Sequence, residues 1–294
     1  GLDRFDELKN TDEVAQSKMI SGSDAFLLYD TFGFPLDLTE LIARENGLGV
    51  DIEGFNANMA EQKARSRAAR KVHSQEVEMP VIDEVTEFTG YSELETNAKV
   101  LYVSENQIAL AKTPFYSESG GQVSDTGVIV LAGQSYEVID VKKAGNAIIH
   151  ICDREIEPLV GHEALAKVDA VRRRSIMRNH SATHLLHEAL RQVLGEHVQQ
   201  AGSLVSPEHL RFDFNHFEKV TDEQIKTIEK IVNRKILENI DVKIELMSIE
   251  EAQKNPKIKM FFGDKYGDVV RVVTMDSKYS IELCGGVHVH NTAE

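Results

Sequence analysis

At 294 residues the chain is long enough for roughly two domains with cores of their own, which excludes a peptide or a staple-dependent mini-protein. A content of 41% hydrophobic and 28% charged residues excludes disordered and membrane classes. The two cysteines, Cys152 and Cys284, cannot build a disulfide framework, so a reducing, cytoplasmic setting is expected. Forty-eight acidic against 33 basic side chains give a net charge of −15, which argues against wholesale wrapping of nucleic acid and leaves only local basic patches for such a partner.

The first 80 residues read as helices. An apolar cluster at 24–29 is broken by Gly33-Phe34-Pro35, and Asp37-Leu-Thr-Glu40 resembles a capping box for the next helix, which Gly47 stops. A third helix starts at Asp51-Ile-Glu53 and runs to about Val72. Its last turns carry Lys63, Arg65, Arg67, Arg70 and Lys71 spread round the cylinder, as on a solvated helix end. From about 98 to 168 the period becomes two. Short β-rich segments at 99–103, 107–110, 127–131, 136–141 and 147–151 predict a small β-barrel, interrupted by a long glycine-rich loop from Thr113 to Gly127. Beyond 170, helix and strand alternate. A helix over 170–194 ends at Gly195, Arg211–Phe214 is a strand, and Thr221-Asp-Glu-Gln224 is a capping box for a helix carrying Ile225, Ile228, Val232 and Leu237. Strands follow at 242–247, 268–274 and 279–283. The fold expected is therefore α+β and multidomain: a helical segment over 1–80, a barrel over 81–168 and an α/β part over 169–294.

His180 and His184, in His-Ser-Ala-Thr-His, fall on one helix face about 6 Å apart, within reach of one metal ion. About a hundred residues later Cys284-Gly-Gly-Val-His288 repeats the spacing with a soft ligand and an imidazole, and its two glycines let the backbone turn tightly. The two pairs predict a Cys/His₃ site for which zinc is the natural occupant. A zinc-protease reading fails because Ser181 stands where that chemistry needs a glutamate base. His187 reads as a core residue or a support for the ligands, His290 as solvent-facing, and Cys152 as a buried small hydrophobe.

Asn179-His-Ser-Ala-Thr-His-Leu-Leu-His187, Gln199-Gln-Ala-Gly-Ser-Leu-Val205 with Arg211–Phe214, and Glu282-Leu-Cys-Gly-Gly-Val-His288 closely resemble the editing domain of alanyl-tRNA synthetases. Phe115–Gly127 resembles that family's glycine-rich barrel loop, and Leu28–Glu40 the end of its helical tRNA-recognition region. The resemblance implies an internal fragment, without the aminoacylation and oligomerisation domains of a full-length synthetase. It also implies hydrolysis of serine or glycine esters wrongly placed on alanine tRNA, whose acceptor end is the expected partner, and no membrane partner is expected. On it, Gln200 is the candidate for sensing the serine hydroxyl or orienting water, with a satisfied loop amide as the bland alternative. Gly120, Gly121 and Gln122 are candidate substrate contacts. Arg172, Arg173 and Arg174, beside Lys167 and Arg178, form a basic strip that reads equally as an RNA contact or as an exposed helix face. Val287 departs from the family's usual threonine. A zinc-stabilised tRNA-binding module without catalysis is the competing reading.

Overall fold

The computed structural model describes residues 2–73, 80, 82–260 and 267–294. Within them, no helix is long and apolar enough to cross a membrane. Two compact units are present, Gly1–Met79 and Pro80–Glu294, and the barrel and the α/β part both lie in the second.

The first unit holds α1 (Leu2–Lys9), α2 (Asp12–Ser17), β1 (Met19–Ile20), α3 (Gly22–Phe32), α4 (Leu36–Glu45), β2 (Gly49–Val50) and α5 (Ile52–His73). Its core gathers Phe5, Leu8, Val14, Ile20, Leu28, Phe34 and Phe55. The helix ends follow local chemistry. Ser21 caps α3 by accepting from Asp24 N–H at 3.1 Å, and Gly33, at φ +62°, closes the helix in the left-handed region. The expected capping box at Asp37–Glu40 is not formed: α4 begins two residues earlier, behind Pro35, whose fixed φ starts the helix without a side-chain cap. The short parallel pairing of β1 with β2 was not anticipated, since two residues carry no readable alternation. The side chains of Lys63, Arg65, Arg67, Arg70 and Lys71 lie outside those described.

The second unit opens with β3 (Glu87–Phe88), β4 (Glu95–Ser104), β5 (Gln107–Leu110), β6 (Lys112–Thr113), β7 (Gly127–Leu131), β8 (Gln134–Ala144), β9 (Ala147–Cys152) and β10 (Glu163–Val168). Six of these close an antiparallel barrel in the order β10-β4-β5-β9-β8-β7. The closing strand β10 was not singled out in the sequence; it pairs with β4 on one side and β7 on the other. Ile108, Leu110, Ile129, Leu131 and Val138 fill the interior. Cys152 is buried there, and its thiol is pushed up to about 12 by that burial.

The chain then enters α6 (Ala170–Leu194), capped by Asp169, whose carboxylate accepts from the N–H groups of Val171 and Arg172. β11 (Gln200–Val205) and β12 (Leu210–Phe214) form a hairpin, and α7 (Asp222–Leu237) starts at the Thr221–Gln224 capping box, both bonds of which are made. β13 (Val242–Ser248), α8 (Ile249–Lys254), β14 (Val269–Met275) and β15 (Ser280–Leu283) complete the unit, with the strands in the order β13-β14-β15. The segment expected as a pocket loop around Gln200 is thus a strand.

Candidate metal centre

On α6 the rings of His180 and His184 stack one turn apart, with centroids separated by 5.5 Å and planes by 7°. Directly after β15, the turn Cys284–His288 lies against this face. Cys284 Sγ is 3.4 Å from His180 Nε2 and 3.2 Å from His288 Nε2, and the ligand atoms of all four residues lie within 4.8 Å of one another. A tetrahedral ion with metal–sulfur and metal–nitrogen bonds of about 2.3 and 2.0 Å separates S from N by about 3.5 Å. The four residues can therefore hold one metal ion.

Each imidazole is fixed through its other nitrogen. His180 Nδ1 donates to Gln122 Oε1 at 2.7 Å; the same oxygen accepts from Val287 N–H at 3.1 Å, which settles the orientation of the amide. His184 Nδ1 donates to Glu282 Oε2 at 2.6 Å, and His288 Nδ1 lies 3.3 Å from Ser181 Oγ, which also accepts from Val289 N–H. With Nδ1 engaged, each Nε2 is left to face the centre, and that of His184 is buried with no hydrogen-bond partner. Glu282 also accepts from His187 Nδ1 at 3.1 Å and from Lys259 Nζ at 3.3 Å.

The turn between the cysteine and the last histidine is held from outside. Arg271 donates to the carbonyls of Cys284 and Gly286 at 2.9 and 2.8 Å, and Tyr91 Oη to that of Gly285 at 2.8 Å, with the guanidinium 4.3 Å over the Tyr91 ring. Gly286 is obligatory, because a Cβ there would sit 2.0 Å from His180 Cε1. Val287 turns its side chain into a small apolar cluster with Tyr116, Ile176 and Val205, so its lack of a hydroxyl removes no contact from the ligand set.

Burial alone would raise the Cys284 thiol, but the three surrounding imidazoles outweigh it and hold the group well below the ordinary thiol value. Burial likewise opposes charge on His184, yet the Glu282 carboxylate and Cys284 raise it to about 10. Desolvation, helped by His180, lowers His288 to about 3. Glu282 sits well below the usual carboxylate range because its pairing with His184 overcomes its burial. The thiol and the His184 imidazole are thus shifted in opposite senses, each toward its charged form, the one by the imidazoles and the other by Glu282.

His180, His184 and Cys284 open onto a cavity of about 860 Å³ that Gln200, Gly120 and Gly121 also line. Gln200, half-buried at the start of β11, pairs with Phe214. Gly121 takes φ +81°, and a Cβ on it would meet the Ser203 carbonyl oxygen at 2.5 Å. Other sequence expectations are redistributed. Gln122 is fully buried and serves a ligand instead of facing substrate. Arg173 leaves the expected basic strip: it is 1% exposed, ion-paired with Asp125, and donates to the carbonyls of Gly90 and Pro114 at 2.7 and 2.6 Å. Its neighbour Arg172 donates to Ser124 O at 2.6 Å, Arg174 is exposed, and none of the three lines the cavity. Residue reading missed Glu282 and Ser181 as supports, and Thr183 and Ser203 in the cavity wall. Glu282 was findable: Ser280, Glu282 and Cys284 share a strand period of two.

Residues 1–172 match the family described as tRNA synthetases class II (A), and residues 270–294 match the Threonyl and Alanyl tRNA synthetase second additional domain. The chain belongs to the class II (A) tRNA synthetase family. Within it, the chain is similar to the alanine-tRNA ligases. It is 47% identical over 313 residues to that of Listeria monocytogenes, covering 100% of the chain and 35% of the relative. It is 48% identical over 301 residues to that of Bacteroides thetaiotaomicron, covering 99% and 34%. With the Bacteroides fragilis enzyme it shares 50% identity over 282 residues, covering 93% and 32%. The chain thus spans about a third of the length of these relatives.

Proposed function

We propose that the cavity hydrolyses the ester joining serine or glycine to the 3′-terminal ribose of alanine tRNA, with zinc as the resident ion. The observation that supports this best is a buried Cys/His₃ cluster, oriented ligand by ligand, opening onto a cavity lined by Gln200. The relatives named as alanine-tRNA ligases supply the need. A pocket that accepts alanine cannot strongly reject smaller glycine, nor an added hydroxyl, so a second hydrolytic site must remove the errors. Thiolate with three imidazoles suits zinc, which when bound would supply Lewis-acid polarisation of the ester carbonyl.

The chain's own residues divide the remaining work. Gln122, Glu282 and Ser181 hold the imidazoles. The Gly120–Gly121 turn lets the ribose approach the backbone closely. Gln200 offers its amide to the serine hydroxyl, and an alanine ester leaves that amide unpaired. Cys284 is engaged as a ligand, so attack falls to water. The acceptor end of alanine tRNA is the partner.

A second reading, a zinc-stabilised tRNA-binding module without catalysis, draws on the ligand count, since four protein ligands ordinarily mark a closed structural site. Serine-, glycine- and alanine-charged alanine tRNA, incubated with the purified chain, separates the two. Faster release of serine and glycine than of alanine is expected. Gln200→Ala should narrow the serine-to-alanine rate ratio about tenfold, the value of one hydrogen bond of roughly 1 kcal/mol or slightly more. Equal slowing of all three esters would assign Gln200 to water or ribose instead. No hydrolysis by a zinc-loaded, RNA-binding chain would leave the second reading standing.

A further inference from the structure

We propose that Arg271 and Lys143 bind the phosphate of the 3′-terminal nucleotide at the mouth of the cavity; this rests on the RNA-ester reading above. A chain of net charge −15 must recruit a polyanion through local cations, and the arginines at the start of α6 are engaged with protein groups or lie away from the cavity. Among the described residues, the Lys and Arg side chains that do line it are Arg271, on β14, and Lys143, on β8 of the barrel. Neither has a carboxylate partner among the described residues, whereas the adjacent Lys142 is paired with Asp140 at 3.2 Å.

Arg271 is half-buried and held in place by two backbone carbonyls and the Tyr91 ring, so its charge is fixed in position with no carboxylate paired to it among the described residues. A partly desolvated cation without a carboxylate partner gains from an incoming anion. Glu282, the carboxylate that lines the cavity among the described residues, is already engaged by His184, His187 and Lys259 and does not oppose one. The anion is not the aminoacyl group, whose free amine is cationic or neutral. The phosphate next to the esterified ribose is the group of matching charge. Because Arg271 also holds the Cys284–Gly286 carbonyls, the phosphate would dock on the same side chain that positions the ligand-bearing turn.

The test is binding of an uncharged acceptor-stem RNA hairpin with a single-stranded CCA end to the zinc-loaded chain across a salt series. Lys143→Gln, an exposed substitution, should weaken binding and reduce the slope of log affinity against log salt by about 0.7, the value of one single-strand phosphate contact. Lys143→Arg should restore the slope, and Lys143→Gln combined with Arg271→Gln should lower it by about 0.7 more. Competition with adenosine 5′-phosphate, adenosine and inorganic phosphate separates a nucleotide phosphate from any free one. The adenylate should displace RNA better than adenosine for the parent and no better for the double variant. Inorganic phosphate competing as well as the adenylate would reduce the site to a free-anion site and overturn the assignment. Hairpin bound by the parent with unchanged slope and affinity in Lys143→Gln overturns it too. A parent that retains zinc but does not bind the hairpin defeats the RNA-ester reading itself.

Discussion

The metal centre depends on single hydrogen bonds that lie far apart in sequence. Gln122 reaches His180 from the glycine loop, Glu282 reaches His184 from β15, and Ser181, inside the histidine motif itself, supports His288. These contacts give the site a defined pH response. With the Cys284 thiol held well below its ordinary range by the surrounding imidazoles and His184 raised to about 10 by Glu282 and Cys284, the proton on His184 is the one that competes with the ion. Between pH 7 and 9, apparent zinc affinity should rise about tenfold per pH unit, with about one proton released per ion bound. Chelator competition at stepped pH measures the first and proton release in weak buffer the second. A flat affinity over that range would show that His184 is neutral before the ion arrives.

Elements are tied together by a different device. The loop between β6 and β7 carries Gly120, Gly121 and Gln122, and it is fastened to α6 by the buried Arg173–Asp125 pair. Asp125 also accepts from Tyr116 N–H at 2.7 Å, while Arg173 satisfies two loop carbonyls. Removing one partner leaves the other charge buried and alone. Asp125→Ala should therefore cost about 3–5 kcal/mol in urea unfolding, against roughly half a kcal/mol or less for the exposed neighbour Arg174→Ala. Equal, small losses would mean that water replaces the missing carboxylate. The sequence announces helix ends at this scale, as Thr221–Gln224 shows, because both partners of a cap lie within one turn. It does not announce that Arg173 is buried. An arginine amid Arg172 and Arg174 reads as surface, and only the approach of Asp125, 48 residues away, makes its burial affordable.

For the whole molecule, the division into Gly1–Met79 and Pro80–Glu294 confines every metal ligand to the second unit. Zinc bound only by the folded state stabilises that unit by mass action, about 4 kcal/mol at a thousandfold excess over the dissociation constant. Calorimetry should show one transition that rises with added zinc and another, from the first unit, that stays in place. A common shift would show that the two units unfold together. By itself, the sequence determined what is local. Apolar period, caps and glycine stops marked α6, several barrel strands and α7, and the two four-residue spacings marked the ligands, because each signal is contained within a turn or a strand. The tertiary structure alone decided the rest: the closure of the barrel by β10, the strand at Gln200, the burial of Arg173, and the service of Gln122 and Glu282 to the histidines. Those facts depend on which distant segments pair and in what register, and no local period encodes that.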